Sequence, residues 1–98
     1  MVKEAKVSLE MKKLLFTTVL NCETVEDLEA LFDDLCTYKE VEQMAQRIEA
    51  AKMLMQGKTY AEIIDKTEIS SATLSRVSRC VQRGSGGYTK FLPNQEEK

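Results

Sequence analysis

The chain has 98 residues, of which 43% are hydrophobic and 31% charged, and this length fits one compact domain without room for two independent cores. Fourteen basic and sixteen acidic residues give a net charge of −2, so basic surface can exist only locally. The absence of histidine excludes Ser-His-Asp and Cys-His catalytic pairs and metal sites ligated by histidine.

The three cysteines, Cys22, Cys36 and Cys80, are widely spaced and form no C-x-x-C pair. We therefore expect neither a metal site nor a cofactor. An odd number of scattered thiols, with no signal peptide ahead of them, predicts a protein of the reducing cytoplasm. The longest apolar stretch, residues 14–20, is interrupted by threonines and is too short to span a bilayer, so we expect no membrane contact.

Helix-forming residues fill the chain from residue 9 to residue 83 almost without a helix breaker, which predicts an all-α fold. Apolar side chains recur at helical spacing in three segments. The first stripe is Met11, Leu14, Leu15 and Val19; the second is Val25, Leu28, Leu31, Phe32 and Leu35; the third is Val41, Met44, Ala45, Ile48, Ala51 and Met55. A short fourth helix from Thr59 to Lys66 and a fifth from about Ser71 to Gln82 complete the prediction.

Helix starts are marked by a threonine followed three residues later by an acid, at residues 24–27, 37–40 and 59–62. This is the capping-box pattern, in which the hydroxyl and the carboxylate accept hydrogen bonds from amides at the helix start. Gly57 suits a left-handed residue that ends the third helix, and Ser70 or Ser71 suits the cap of the fifth.

The first helix is apolar on more than one side, because Phe16 and Leu20 lie off its main stripe. It is either a central core helix or a helix packed between two subunits, and we favour the second because a small monomer buries limited surface. The β-branched residues at 17–19 would also allow a strand, but a lone strand would have no partner.

Charge is segregated along the chain. Residues 23–49 carry nine acids and two bases, whereas residues 69–90 carry Arg76, Arg79, Arg83 and Lys90 and no acid. A basic final helix on an acidic protein is typical of a helix that faces nucleic-acid phosphates. The alternative is that the arginines only complement the helix dipole; Arg79 and Arg83 fit that explanation better than Arg76 does.

Residues 59–82 predict a helix-turn-helix, with Ile63, Ile64, Ile69, Leu74 and Val77 pinning two short helices together. The residues expected to contact DNA are Ser70, Ser71, Ala72, Thr73, Ser75, Arg76 and Arg79. Small polar residues at the start of the second helix would let its backbone approach a major groove closely. Glu68 stands where a glycine is usual in the turn, and a purely structural helical hairpin is the other interpretation.

Over about residues 10–83 the chain resembles the Trp repressor family, and most closely the Trp-repressor-related proteins of Gram-positive bacteria. The most specific matches are residues 35–37 with Arg47, the junction at residues 53–59, and residues 71–76 at the head of the fifth helix. The resemblance implies a Trp-repressor-like helical bundle whose two subunits interlock through their N-terminal helices. It also implies that the homodimer binds double-stranded DNA at an inverted repeat.

The resemblance also implies an effector pocket formed by Thr37, Arg47, Arg76, Val77 and Cys80. In the Trp repressor, the positions matching the first three hold the polar groups of the amino acid and bracket its indole ring. Val77 replaces a glycine against which the indole lies, and Cys80 replaces a serine that contacts the ligand. We therefore expect that free tryptophan is neither bound tightly nor needed, and that any effector is a small anion or an amino acid in a remodelled pocket.

Two acids on the fourth helix, Glu62 and Asp65, stand where the Trp repressor has basic residues, which removes part of the phosphate contact that the resemblance implies. We predict a dimerisation and helix-turn-helix domain over residues 1–83, followed by a flexible tail over residues 84–98. The predicted function is that of a DNA-binding transcriptional regulator that acts as a repressor. The alternative is a helical protein-interaction module that uses its acidic face at residues 23–49; an enzyme ranks third, because no nucleophile has a base beside it.

Overall fold

A computed structural model of the chain describes residues 2–93, with side chains from Ser8 onward. Over these residues it is all-helical and has no strand. The six helices are α1 (Val2–Leu20), α2 (Val25–Leu35), α3 (Tyr38–Met55), α4 (Tyr60–Thr67), α5 (Ser71–Arg83) and α6 (Gly87–Phe91). The chain divides into two compact units, residues 1–38 and residues 39–98. The predicted all-α class is confirmed.

In the first unit, α1 runs without interruption through the β-branched segment that could have been a strand. The Thr18 hydroxyl donates to the Leu14 carbonyl at 2.7 Å, so it bonds within the helix. The predicted capping box opens α2: the Asp27 amide donates to the Thr24 hydroxyl at 3.0 Å. The amide of Glu23 donates to the Asp27 carboxylate at 2.9 Å and lowers the pKa of Asp27, because the bond favours the ionised form.

Large apolar side chains of the first unit are exposed in the single chain. They are Leu9, Met11, Leu14, Leu15, Phe16 and Leu20 on α1, and Val25 and Leu35 on α2. Phe16 is 65% exposed and Leu20 is 83% exposed, so α1 is apolar on more than one side, as its sequence predicts. A soluble chain does not normally leave so many neighbouring apolar groups in water.

The second unit contains every buried hydrophobic residue among the described side chains, and all of them lie between residues 50 and 77. The cluster consists of Ala50, Ala51 and Met53 from α3, Ile63 from α4, Ile69 from the turn, and Leu74 and Val77 from α5. Leu54, Ile64, Val81, Tyr88 and Leu92 pack against it, partly buried. Helix α3 is thus the scaffold on which the two short helices lie.

The apolar stripe of α3 lies on a helix, as its spacing predicts, but most of it lies outside the buried cluster of the single chain. Of its six members only Ala51 is buried, while Val41, Ile48 and Met55 are 37–47% exposed. The helix buries a neighbouring face instead, on which Ala50 and Ala51 offer only methyl groups to α4 and α5. The exposed residues recur every seven positions and form a second, uncovered apolar line along α3.

The junction between α3 and α4 has the predicted geometry. Gly57 has a φ of +82°, and the amide of Lys58 donates to the Met53 carbonyl at 3.0 Å, as in a Schellman motif. Thr59 then caps α4 through a hydrogen bond from the Glu62 amide at 3.1 Å. The Thr59 amide donates to the Glu62 carboxylate at 2.8 Å, and this bond lowers the pKa of Glu62.

The turn between α4 and α5 is built on Glu68, which has a φ of +63°. Its amide still donates to the Ile64 carbonyl at 2.8 Å, closing the last turn of α4. The Thr67 hydroxyl donates to the Ile63 carbonyl and accepts from the Ile69 amide, at 2.7 and 3.2 Å. Glu68 thus adopts the left-handed conformation for which a glycine is usual at this position of the turn.

The segment predicted as a flexible tail differs over residues 87–92. Residues 87–91 form α6, and Tyr88 and Leu92 pack against the buried cluster. The prediction rested on three glycines and a proline, which break regular helices but also permit tight turns. Residues 94–98 of the predicted tail lie outside the described residues.

Replacing Glu68 with glycine should raise the free energy of unfolding by about 1 kcal/mol, because glycine adopts the left-handed region without the steric cost of a Cβ. Glu68→Ala is the matched control and should give no such gain, since it keeps the Cβ. Urea denaturation at one protein concentration measures both changes. Equal stability of the glycine and alanine variants would contradict the assignment of backbone strain to Glu68.

Candidate nucleic-acid interface and adjoining clefts

Helix α5 has one buried face and one exposed face, as predicted. Leu74 is 0% and Val77 is 2% exposed, and Ser78 is also buried. The opposite face projects into solvent. Of the residues predicted to contact DNA, it exposes Ser71, Ala72, Ser75, Arg76 and Arg79. These recur three and four residues apart, so they form a continuous line along the helix.

The start of α5 is set by Ser70, which of the two predicted candidates is the one that caps it. The Thr73 amide donates to the Ser70 hydroxyl at 3.1 Å, and this hydroxyl donates to the Thr73 hydroxyl at 2.9 Å. Ser70 is exposed, whereas Thr73 is half-buried. The cap therefore fixes where the backbone amides of the first turn point, and these amides are donors suited to phosphate oxygens.

Arg76 and Arg79 are the two cationic side chains of α5 that are available to bind another molecule. The helix ends at Arg83, which is the basic residue of its last turn, so the dipole explanation applies to Arg83 and not to Arg76 or Arg79. Among the side chains that the structure describes, the ion pair is that of Lys66 with Glu49, at 3.2 Å. Arg76 and Arg79 are exposed and take no part in it.

The acids on α4 are placed differently from each other. The carboxylate of Glu62 is engaged in the cap of its own helix, whereas Asp65 is exposed with no hydrogen bond of its own recorded in the structure. An anionic α4 repels phosphates, so any DNA contact would depend on α5.

A cleft of about 280 Å³ lies where α3 passes the start of α5. It is lined by Gln43, Gln46 and Arg47 of α3, by Ile69 and Ser70 of the turn, and by Thr73. The side-chain amide of Gln46 donates to the Thr67 carbonyl at 3.0 Å, which ties the turn to α3. Sequence analysis missed Gln46, because no local pattern indicates a bond between residues so far apart in the chain.

A second cleft, of about 390 Å³, lies beside the middle of α5 and shares Arg47 and Thr73 with the first. Arg76, Val77, Cys80 and Tyr88 complete its lining. Four of the five residues predicted for the effector pocket therefore come together here. The fifth, Thr37, belongs to the other unit and is not among the lining residues. Tyr88 was not predicted.

The second cleft is bordered by positive charge, and Val77 limits its depth beside α5. Arg47 is half-buried and Arg76 exposed, so two guanidinium groups border the same space and favour an anionic group. Val77 is buried in the core cluster, and its side chain fills the space against the helix that a glycine would leave open.

Neither metal binding nor membrane insertion has support in the described part of the chain. No group of three or more acids or cysteines there is placed to hold a metal ion. Likewise, no helix between residues 2 and 93 combines the length and the apolar character needed to cross a bilayer.

Two short helices packed on a scaffold helix, the second with an exposed basic and hydroxyl-bearing face, define a helix-turn-helix domain of the kind found in DNA-binding regulators. The chain belongs to the Trp repressor family: the family model described as Trp repressor protein matches residues 10–96. Members of this family are regulators rather than enzymes. The predicted family membership is thus confirmed.

Three proteins of Gram-positive bacteria are similar to this chain, as the resemblance predicts. The Bacillus subtilis (strain 168) protein named Uncharacterized protein YerC is 42% identical over 83 residues, which are 85% of this chain and 80% of that protein. A crystal structure of a candidate Trp repressor from Staphylococcus aureus is 42% identical with a TM-score of 0.78, covering 82% of this chain and 80% of that one. The structure of a TrpR like protein from Eubacterium eligens ATCC 27750 has a TM-score of 0.81 and 36% sequence identity, and the match covers 87% of this chain and 88% of that chain.

Proposed function

We propose that this protein is a sequence-specific DNA-binding transcriptional regulator that acts in the cytoplasm as a homodimeric repressor on an inverted-repeat operator. The observation that carries the proposal is the exposed face of α5, which presents small polar residues and two arginines on a helix fixed to a buried core. No acid occurs between residues 69 and 93, so a phosphate backbone could approach this face without repulsion.

The side chains of α5 suit two separate tasks. Ser71, Ala72 and Ser75 are small, which lets the helix backbone enter a major groove and leaves hydroxyls for base edges. Arg76 and Arg79 are long and cationic, and they suit phosphate oxygens or guanine. Ser70 and Thr73 shape the first turn and would set the angle of entry.

The exposed apolar residues of α1 support a homodimer. A second copy would cover Met11, Leu14, Phe16 and Leu20, which one chain leaves in water. A closed dimer of identical chains has two-fold symmetry, and its two α5 helices would then meet two half-sites of opposite orientation. Folding and association of such a chain are coupled, because the monomer alone lacks the burial it needs.

A small anion, or an amino acid held by its carboxylate, is the effector that the second cleft would accept. Arg47 and Arg76 border it. Tryptophan fits poorly, because Val77 occupies the space where a flat indole ring would have to lie.

Selection from random duplex DNA by the purified protein should enrich two half-sites in inverted repeat. Arg76→Ala and Arg79→Ala should each weaken binding of the selected duplex by about tenfold at physiological salt, since each removes a charged contact. Circular dichroism should show unchanged helix content, because both side chains are exposed. Lys39→Ala, the same charge change on the acidic segment, is the control.

Failure to enrich any sequence would favour the alternative, a protein-interaction module that uses the acidic residues 23–49. Binding that is insensitive to salt would do the same, because phosphate contacts weaken steeply as salt rises. If both arginine variants bound as tightly as the wild type, the proposed orientation of α5 on DNA would be wrong.

Sedimentation at low micromolar concentration should give a dimer and no folded monomer. Leu15→Asp or Phe16→Asp should unfold the protein rather than merely dissociate it, because each would bury an unpaired charge in a shared core. Lys12→Asp, an exposed position on the same helix, is the matched control and should leave the dimer intact. A stable folded monomer in either aspartate variant would argue against an interlocked architecture.

Calorimetric titration with L-tryptophan should show no micromolar binding, and added tryptophan should leave operator affinity unchanged. Val77→Gly should lower operator affinity and destabilise the domain by about 1.5–3 kcal/mol, because it removes a buried side chain and adds a helix glycine. Val77→Ile is the control that keeps a β-branched aliphatic group. Tight tryptophan binding coupled to tighter operator binding would overturn the proposal that Val77 excludes the indole ring from the space beside α5.

A further inference from the structure

The short helix α6 returns to the body of the helix-turn-helix. Three residues separate it from the end of α5, and two of the side chains in this segment, Tyr88 and Leu92, pack against the buried cluster. By contrast Phe91 is 78% exposed, with the Lys90 ammonium 5.8 Å from the centroid of its ring. Helix α6 is therefore attached to the domain by one defined face.

The connection from α5 to α6 requires glycine at two positions. The Gly84 amide donates to the Cys80 carbonyl at 2.8 Å, and a Cβ on Gly84 would overlap that same carbonyl oxygen. Gly86 has a φ of +89°, a conformation that residues with a Cβ rarely adopt. Because both glycines meet steric demands of the turn, this segment has a specified path and is not merely a flexible linker.

The residue that this path delivers to α5 is Tyr88. Its half-buried side chain lines the 390 Å³ cleft together with Arg47 of α3 and Arg76 and Val77 of α5. One side chain thus borders both the scaffold helix and the helix with the exposed basic face. An aromatic ring in this place contributes a large, rigid contact surface at low entropic cost.

We propose that α6 is a strap that positions α5 for DNA, and that Tyr88 is the positioning residue through which it acts. The proposal rests on the proposed function, because it concerns the helix that would enter the groove. Tyr88 touches no DNA in this role. It restricts the tilt of α5 relative to α3, so that the exposed residues of α5 meet base edges in one orientation.

The test compares the full-length protein with Tyr88→Ala and Tyr88→Phe on the selected operator duplex and on a scrambled duplex of equal length. Phe91→Ala is the matched control, because it removes an exposed aromatic side chain from the same helix. Tyr88→Ala should weaken operator binding by about tenfold and scrambled-duplex binding by less than about twofold, since phosphate contact tolerates a tilted helix and base readout does not. Tyr88→Phe and Phe91→Ala should stay within about twofold of wild type on both duplexes.

Gly84→Ala is the second variant, because it changes the path of the strap without removing any side chain that lines the cleft. It should reproduce the loss of operator preference seen with Tyr88→Ala. If Tyr88→Ala loses helix content at the assay temperature, the operator preference of Gly84→Ala decides whether the strap positions α5. If both variants unfold, α6 is only a structural element and the proposal fails.

The proposal also fails if both variants keep the operator preference of the wild type, or if they lose affinity equally for operator and scrambled duplex. A wild-type protein that binds no duplex at all overturns the proposed function, and the strap with it. That outcome is distinguishable, because it appears before any variant is made.

Discussion

The buried cluster that α3 shares with the helix-turn-helix is the constraint on which the rest of this structure depends. Ala50 and Ala51 are fully buried, and because they carry only methyl groups, Ile63 and Leu74 can share one buried cluster with them. A larger side chain at either alanine would have to push the short helices away, since protein cores have no spare volume. Helices of the length of α4 and α5 are not stable alone, so their orientation is set by this contact.

A hydrogen bond and an ion pair at the edge of the buried cluster also connect α3 to the helix-turn-helix. Gln46 ties the turn carbonyl of Thr67 to α3 at 3.0 Å, and Lys66 pairs with Glu49 at 3.2 Å. The exposed ion pair contributes little to stability, whereas the Gln46 bond is partly buried and fixes the turn. Burial therefore sets the distance between the helices, and the Gln46 bond sets the place of the turn.

Features with a local signal could be predicted from the sequence. The threonine and acid pairs predicted the starts of α2 and α4, and the turn was located at Glu68, where a glycine is usual. The buried face of α3 could not be predicted in this way, because the helix carries two apolar faces and local spacing cannot say which one meets α4 and α5. The stripe that stands out by its spacing contains Val41 and Ile48, which are exposed in the single chain.

The missed features share a physical cause. Helix α6 was overlooked because glycines have two uses, conformational freedom in a flexible chain and close approach in a tight turn, and only the structure distinguishes them. Gly84 belongs to the second kind. Tyr88 then escaped notice as part of the cleft, although its neighbours Arg47, Arg76, Val77 and Cys80 were expected together. Contacts between α3, α5 and α6 depend on tertiary packing that no local pattern encodes.

The lining of the cleft bears on how an effector could act. A ligand shifts a conformational equilibrium only by the difference in its affinity for the two states. Because the buried side chain of Val77 already packs α5 against the core, a ligand contributes less to the position of this helix. An anion held by Arg47 and Arg76 would instead engage a guanidinium that α5 presents to phosphates, and two anions cannot occupy one guanidinium at full strength. If both proposed contacts form, binding of an anionic effector would oppose binding of DNA, and by thermodynamic reciprocity DNA would oppose the effector equally.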